Sequence, residues 1–277
     1  MAGSKIKSWE VSDKFWEKVA PLIPKPRRST EKTYQRRRGA GRKPMDPRKV
    51  FSAIVFVLRT GIQWKALPRE FGSSSSVHAY FRKWVEAGFF LKLWKKGLAE
   101  YDEMEGIAWR WQSIDGSMGK APLARESVGP NPTDRGKMGT KRHVLVDARG
   151  VPLSLVVTGA NRQDVTQVEE VLAARVRRPR GRTTQNLCAD KGYQSAEAEE
   201  IMRKYRYVPH IRSRGEEKVR MKAGYKPRRW IVEVAHSWFN RFRKLLVRYE
   251  KTTASYEALL QMAATVIIYR KLGVIYG

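Results

Sequence analysis

Between residues 46 and 61, apolar side chains return every three or four positions: Val50, Phe51, Ile54, Val55, Val57 and Leu58. That period predicts a helix opened near Asp46 and stopped at Thr60 and Gly61. "WKALPREFG" (64–72) predicts a short helix or turn. In "SSSSVHAYFRKWVEAG" (73–88) the serines can cap a helix whose core side carries Val77, Tyr80, Phe81 and Trp84. "FFLKLWKKGL" predicts one more helix, and residues 1–24 a short one ending at "PLIPKP". This succession fits an all-α, helix-turn-helix-like domain over residues 1–100, its serine-capped helix shaped for a major groove.

Past Gly106 the pattern changes. "IAWRWQSID" reads as a strand, and "KRHVLVD" and "PLSLVVTG" (141–147 and 152–159) as two more joined by a tight "DARG" turn. A helix over "QDVTQVEEVLAARV" follows, then a buried strand "QNLCAD" (185–190), a helix "SAEAEEIMRKY" and a fifth strand "YVPHIR" (207–212). From Pro227 a long helix is predicted over "RRWIVEVAHSWFNRFRKLLVRYEK", Pro being suited to a first turn. Its predicted packing face is Val234, Trp238, Phe242 and Leu245; Glu233, Ser237, Asn240, Arg241, Lys244 and Arg248 share another. A last helix, apolar nearly all round, starts near Ser255. Three leading strands, alternating helix and strand, then helices predict an α/β domain over residues 106–277, a five-stranded sheet covered on both faces. No internal repeat is visible.

Composition then narrows the partners. The 277 residues hold 56 Lys plus Arg against 27 Asp plus Glu, a net charge of +29. So much self-repulsion is most simply tolerated for a polyanion, nucleic acid first among them. Residues 25–49 alone carry eleven Lys/Arg and two acids, a basic arm in which Arg36, Arg37, Arg38, Arg42 and Lys43 are candidate phosphate contacts. Ser75, Ser76, His78 and Arg82 are candidate DNA contacts on the capped helix. Lys137, Lys141 and Arg142 lie in "DRGKMGTKR" (134–142), expected to be a DNA-facing loop. That segment is no nucleotide-phosphate loop, because Met138 stands where Ser or Thr must follow the Lys. The lone Cys188 excludes an internal disulfide and a thiolate zinc cluster. The charged, amphipathic "KIKSWEVSDKFWEKV" is unlike a signal peptide, so the chain reads as cytosolic.

Against this basic background three acids stand out. Asp115 in "SIDGS" and Asp190 in "LCADKGY" each terminate an apolar predicted strand, and Glu233 interrupts the apolar "WIVEVA". Alone, Asp115 can be a turn residue, an ion-pair partner or a metal ligand. Three carboxylates converging would suit a hard cation such as Mg²⁺ or Mn²⁺. Asp164, after "GANRQ", reads as a helix cap or a neighbour of that site; Glu199 and Glu200 read as an exposed helix face. His143, His210 and His236 are given no role, and Trp109, Trp111 and Trp230 are expected in the core.

These blocks resemble the DDE transposases of bacterial insertion sequences, in the branch called insertion-sequence family five. "GRKPMDPRKVFSAIVFVLRTGIQWKALPREFG" is similar to the family's amino-terminal helical region; "SIDGS", "NPTDRGKMGTKRHVLVDARGVPLSLVVTGANRQD", "ADKGYQS" and the Glu233 segment are similar to its catalytic blocks. The resemblance implies a ribonuclease-H-like fold with Asp115, Asp190 and Glu233 holding two Mg²⁺ ions, Mn²⁺ substituting. It further implies double-stranded DNA as partner (element terminal repeats and target), a homodimer to hold two ends, and a bacterial, nucleoid-associated location. The Tyr-Arg-Glu-Lys signature of related enzymes implies DNA-end contacts by Arg229, Asn240, Arg241 and Lys244. Here Lys226 occupies the Tyr position, Tyr225 is one place early, and Asn240 replaces the Lys. Two other classes fit the same residues: a ribonuclease-H-like nuclease or resolvase that does not join strands, and a DNA-binding regulator with a retired catalytic domain.

Overall fold

The computed structural model describes residues 9–25, 33, 35, 43–181, 183–211 and 228–275. Of the basic arm, Arg36, Arg37, Arg38 and Arg42 lie outside the described residues, as do Tyr225 and Lys226. The leading helices are α1 (Asp13–Val19), α2 (Pro47–Thr60), α3 (Ser74–Glu86) and α4 (Phe89–Met104). The Asp46 carboxylate caps α2 by accepting the Arg48 N–H at 3.0 Å. Gly61 ends it at φ 74°, in the left-handed region that a side chain disfavours. A Cβ there would also stand 2.9 Å from the Cβ of Arg243, so glycine admits a distant segment against the end of α2. Ser73 occupies the cap position of α3, but its hydroxyl meets Ser75 Oγ at 2.9 Å and makes no bond to the helix backbone. The expected serine cap is therefore not formed by the side chain.

The strands are β1 (Trp111–Lys120), β2 (Gly129–Pro130), β3 (Met138–Asp147), β4 (Pro152–Gly159), β5 (Gln185–Ala189) and β6 (Tyr207–Ile211). They form one mixed sheet: β4 and the short β2 pair with β3, β3 pairs antiparallel with β1, and β1, β5 and β6 run parallel. The sheet has six strands instead of the expected five, because two-residue β2 is too short to leave a periodic signal. Asp147 sets the β3–β4 turn, its carboxylate accepting the N–H groups of Ala108, Arg149 and Val151 at 2.8–3.1 Å. Between and after these strands come α5 (Val168–Ala173), α6 (Ala196–Lys204), α7 (Trp230–Asn240) and α8 (Thr253–Lys271).

α7 departs from expectation in length and in orientation. It ends at Asn240, after which Phe242 turns extended and Arg243–Leu245 form a single 3-10 turn. The turn lets Phe242 and Leu245 bury beside α2, with the Arg59 guanidinium 4.6 Å from the Phe242 ring. The buried face of α7 is Val232, Ala235, His236 and Phe239, while Val234 and Trp238 are only half-buried. Trp230, expected in the core, is 54% exposed; Trp109 and Trp111 are partly buried. α8 is buried on nearly every side and packs along α4. The buried apolar cluster thus runs unbroken from Phe15 and Phe51 through Trp94 to Leu260 and Val144. Among the described residues, no helix is long and apolar enough to cross a membrane.

Candidate active site

β1 and β5 run side by side with Ser113 opposite Cys188. Continued two residues beyond the last pair, that register points Asp115 toward Asp190, which lies just past the end of β5. Asp115 lies in the middle of β1 and not at its end, because the strand continues to Lys120 against β3. Its Oδ1 accepts the Gly116 N–H at 2.8 Å. Asp190 follows the last residue of β5, and its side chain accepts the Gly192 N–H at 2.9 Å. Glu233 stands in the first turn of α7, which packs on β1 and β3; Ser113 Oγ donates to Arg228 O at 3.1 Å and holds that end of the helix to the sheet. Burial pushes the Asp115 carboxyl up to about 6, and the negative charges of Asp190, Asp164 and Glu233 push the same way, against the Gly116 hydrogen bond. The three sequence candidates therefore share one electrostatic neighbourhood.

Asp164 is the residue that sequence reading undervalued. It caps no helix through its side chain. It lies against β1 where Gly116 leaves room: a Cβ on Gly116 would be 2.0 Å from Asp164 Oδ1 and 3.0 Å from Lys141 Cδ. Lys141 Nζ donates to Asp164 Oδ2 at 3.0 Å and to Arg162 O at 2.7 Å. His143 Nδ1 is 3.3 Å from Asp164 Oδ1, and its Nε2 meets Thr158 Oγ1 at 2.9 Å. Burial opposes the Asp164 charge, but His143 and Lys141 together outweigh it and hold the carboxyl below the usual range. The one sequence signal for this brace is the glycine in "SIDGS". His236 lies 3.9 Å from Asp115 Oδ2, yet burial and the Arg142 charge hold its imidazole down to about 3, so the contact is not an ion pair.

Comparison with known proteins agrees with this geometry. Residues 112–268 match the family model described as "Transposase DDE domain", and residues 11–94 match one described as "Putative transposase of IS4/5 family". The first match takes in more than half of the chain, including all three carboxylates. The chain belongs to the DDE transposase family. A Burkholderia cepacia protein described as "Putative transposase for insertion sequence element IS402" is 36% identical over 153 residues, 53% of this chain and 71% of that relative. A second Burkholderia cepacia protein, "Insertion element IS402 uncharacterized 16.2 kDa protein", is 32% identical over 124 residues, 44% of this chain and 80% of its own length. Among solved structures, the "Mos1 transposase paired-end complex with left transposon end" is a remote likeness: 10% identity, TM-score 0.29, 85% of this chain and 82% of that chain covered.

The chain is thus a DNA transposase, an enzyme of DNA strand cleavage and transfer, and its family uses divalent metal. Among the described residues, no three His, Cys, Asp or Glu side chains are drawn together as a ligand set. The charges of Asp190, Asp164 and Glu233 oppose ionisation of Asp115, and a bound cation would relieve that repulsion. Their hard oxygen donors fit Mg²⁺ or Mn²⁺.

The transposase distributes its other sequence candidates unevenly. Ser75, Arg82, Lys137, Arg241 and Lys43 are exposed; Ser76, His78 and Arg229 are half-buried. Lys43 and Ser76 line one shallow hollow where the basic arm meets α3. Lys141 and Arg142 belong to β3 and not to a loop, and both are buried. Lys141 is used by Asp164, and Arg142 donates to Asn240 Oδ1 and His236 O, so neither faces outward for DNA. Lys244 is also buried, 3.3 Å from Glu250, because the chain leaves the helix after Asn240.

Proposed function

We propose that Asp115, Asp190 and Glu233 hold the divalent metal of this transposase, two Mg²⁺ ions with Mn²⁺ able to substitute, and that it cuts and joins DNA at the ends of its own element. What supports the reading is the register of β1 on β5, which continued past Ser113 and Cys188 points Asp115 toward Asp190, together with the pull of Asp190 and of Glu233, in the first turn of α7, on the Asp115 carboxyl. The bound metal supplies Lewis-acid stabilisation of the attacking and leaving oxygens of the phosphodiester. The chain's own residues do the rest. Asp115, Asp190 and Glu233 supply the charge that fixes the ions. The Lys141–Asp164–His143 group stands behind β1 and fixes the backbone that carries Asp115. Exposed Lys43, Ser75, Arg82, Lys137 and Arg241, half-buried Ser76, His78 and Arg229, and the arm at Arg36, Arg37, Arg38 and Arg42 grip the duplex at the element's terminal repeats and at target DNA. Two ends handled together call for a homodimer on DNA.

The test is strand transfer by purified protein on DNA bearing the element's ends. Asp115→Ala and Asp190→Ala should keep DNA binding within a few fold and lose cleavage and joining in Mg²⁺ and Mn²⁺, since phosphate grip and metal ligation use different residues. Strand transfer at near-normal rate by either variant would remove it from the metal site. Cutting without joining by the wild type would favour the nuclease class.

A further inference from the structure

At the end of the sheet opposite the carboxylates, the first residues of β5 and β6 border a second basic cleft, of about 880 Å³. Arg175, Arg178, Lys204, Tyr205 and Arg206 line it. β5 spans the distance to Asp190 in five residues, a separation of roughly 16 Å. Phosphate held here is therefore not the phosphate being cut.

Three observations make this a built site. Arg175 is fixed: Nε donates to Leu172 O at 2.8 Å, Nη1 donates to Tyr207 Oη at 2.8 Å, and the guanidinium lies over the rings of Tyr205 and Tyr207. The bonding continues inward, Tyr207 Oη donating to Gln112 Oε1 at 2.6 Å and Gln112 Nε2 to Gln185 Oε1 at 3.0 Å, so the floor of the cleft is tied to the strand that carries Asp115. Second, Arg206 sits just past the end of α6 at φ 66°. Glycine adopts that conformation without strain, so the arginine there costs backbone energy that glycine would not. Third, the charge is unbalanced. Lys204 pairs with Glu169 at 3.0 Å, whereas Arg178 and Arg206 have no ion pair among the described residues.

We propose that this cleft is a phosphate-binding site for duplex DNA, separate from the carboxylate site and gripping the backbone of a segment that is not being cleaved. It rests on the DNA-handling reading above. A concave basic surface concentrates a polyanion, the clamped Arg175 loses little freedom on meeting a phosphate oxygen, and Arg178 and Arg206 bring exposed charge to it. The experiment uses full-length wild type, R178A/R206A and R206G. Binding to a mixed-sequence duplex of about 30 base pairs is measured in chelator from ~50 to ~200 mM salt. Two lost phosphate contacts should lower the slope of log affinity against log salt by about 1.8, and R206G should lower it by about half as much. R206G should melt no earlier than wild type, since glycine suits that backbone, so its weaker grip is not unfolding. An unchanged salt slope in R178A/R206A overturns the proposal. So does binding of inorganic triphosphate that is lost in R178A/R206A while duplex binding stays intact, which marks a small-anion site. Wild type that fails to bind duplex at all overturns the underlying reading as well, and is distinguishable because no variant is needed to see it.

Discussion

Replacing Asp115 by Asn should make the metal-free protein more stable while destroying its activity. Folded Asp115 keeps its proton to about pH 6, against 3.8 for the unperturbed group. Between those values the folded state binds more protons than the unfolded chain, so stability falls as pH rises across that window. The full difference corresponds to about 3 kcal/mol. The side chain is 30% exposed, however, and solvent screening reduces this to ~1–3 kcal/mol. The amide keeps the oxygen that accepts the Gly116 N–H and removes the charge opposed by burial, Asp190, Asp164 and Glu233.

The assay is thermal unfolding in chelator from pH 4 to 7, then at pH 7 with excess Mg²⁺. Wild type should lose ~1–3 kcal/mol relative to Asp115→Asn over that range, or ~2–4 °C in Tm per kcal/mol for a chain of this size. Added Mg²⁺ should raise the wild type and leave the variant nearly unmoved, because an ion stabilises only the state that binds it. Parallel pH curves, or a variant less stable than wild type at pH 7 in chelator, would refute the electrostatic account of the site.

Gly116→Ala should cost ~2–4 kcal/mol by driving Asp164 off Lys141, since its Cβ would arrive 2.0 Å from Asp164 Oδ1; adding Asp164→Ala should recover at least ~1 kcal/mol, and additive losses in denaturant melts would deny the contact. Glu233→Gln should nearly abolish metal-dependent cleavage with little change in Tm. Glu250→Gln should do the reverse, because Glu250 is buried against Lys244 and an unpaired buried ammonium costs ~3–5 kcal/mol; a dead but stable Glu250→Gln protein would shift the third ligand. Deleting residues 1–105 should give a dye-binding, aggregating product. The deletion bares the face of α8 that packs along α4, where Tyr269 meets Phe15 and Gly97, and at ~1.5–3 kcal/mol per large apolar side chain exposed that loss is a sizeable part of total stability. A monomeric, cooperatively melting fragment would contradict the shared core.

Most of the fold was legible, and so was the shared neighbourhood of Asp115, Asp190 and Glu233, because apolar runs end or break at these acids against a basic background where acids are conspicuous. Asp164 was not, since only the folding of β1 against the turn after β4 sets it behind Gly116. Lys141 and Arg142 looked like a loop because glycines surround them, yet a sheet covered on both faces buries charged residues too when partners wait for them: Asp164 for one, Asn240 for the other. The length of α7 was overread for a related reason. Phe242 and Leu245 continue a helical spacing, but they serve a 3-10 turn that packs beside α2.

That turn also bears on how DNA recognition and cutting are related. The segment that follows α7 returns Lys244, Tyr249 and Lys251 to a cleft shared with Trp64, His78 and Arg82 at α3. The His78 ring lies tilted against Trp64 at 5.0 Å, and burial, then the charges of Arg82 and Lys244, hold its imidazole below the ordinary value. α3 therefore turns His78 and Arg82, one turn apart, to the cleft it shares with the catalytic part, and Ser75, on the same face, stays exposed beside them. With α4 and α8 joined in the same core, the helix proposed to read DNA is fixed relative to Asp115 by packing and not by a tether. A duplex gripped at α3, as proposed, would then reach the carboxylates in a set orientation, which is the positional constraint that cleavage at a defined element end requires.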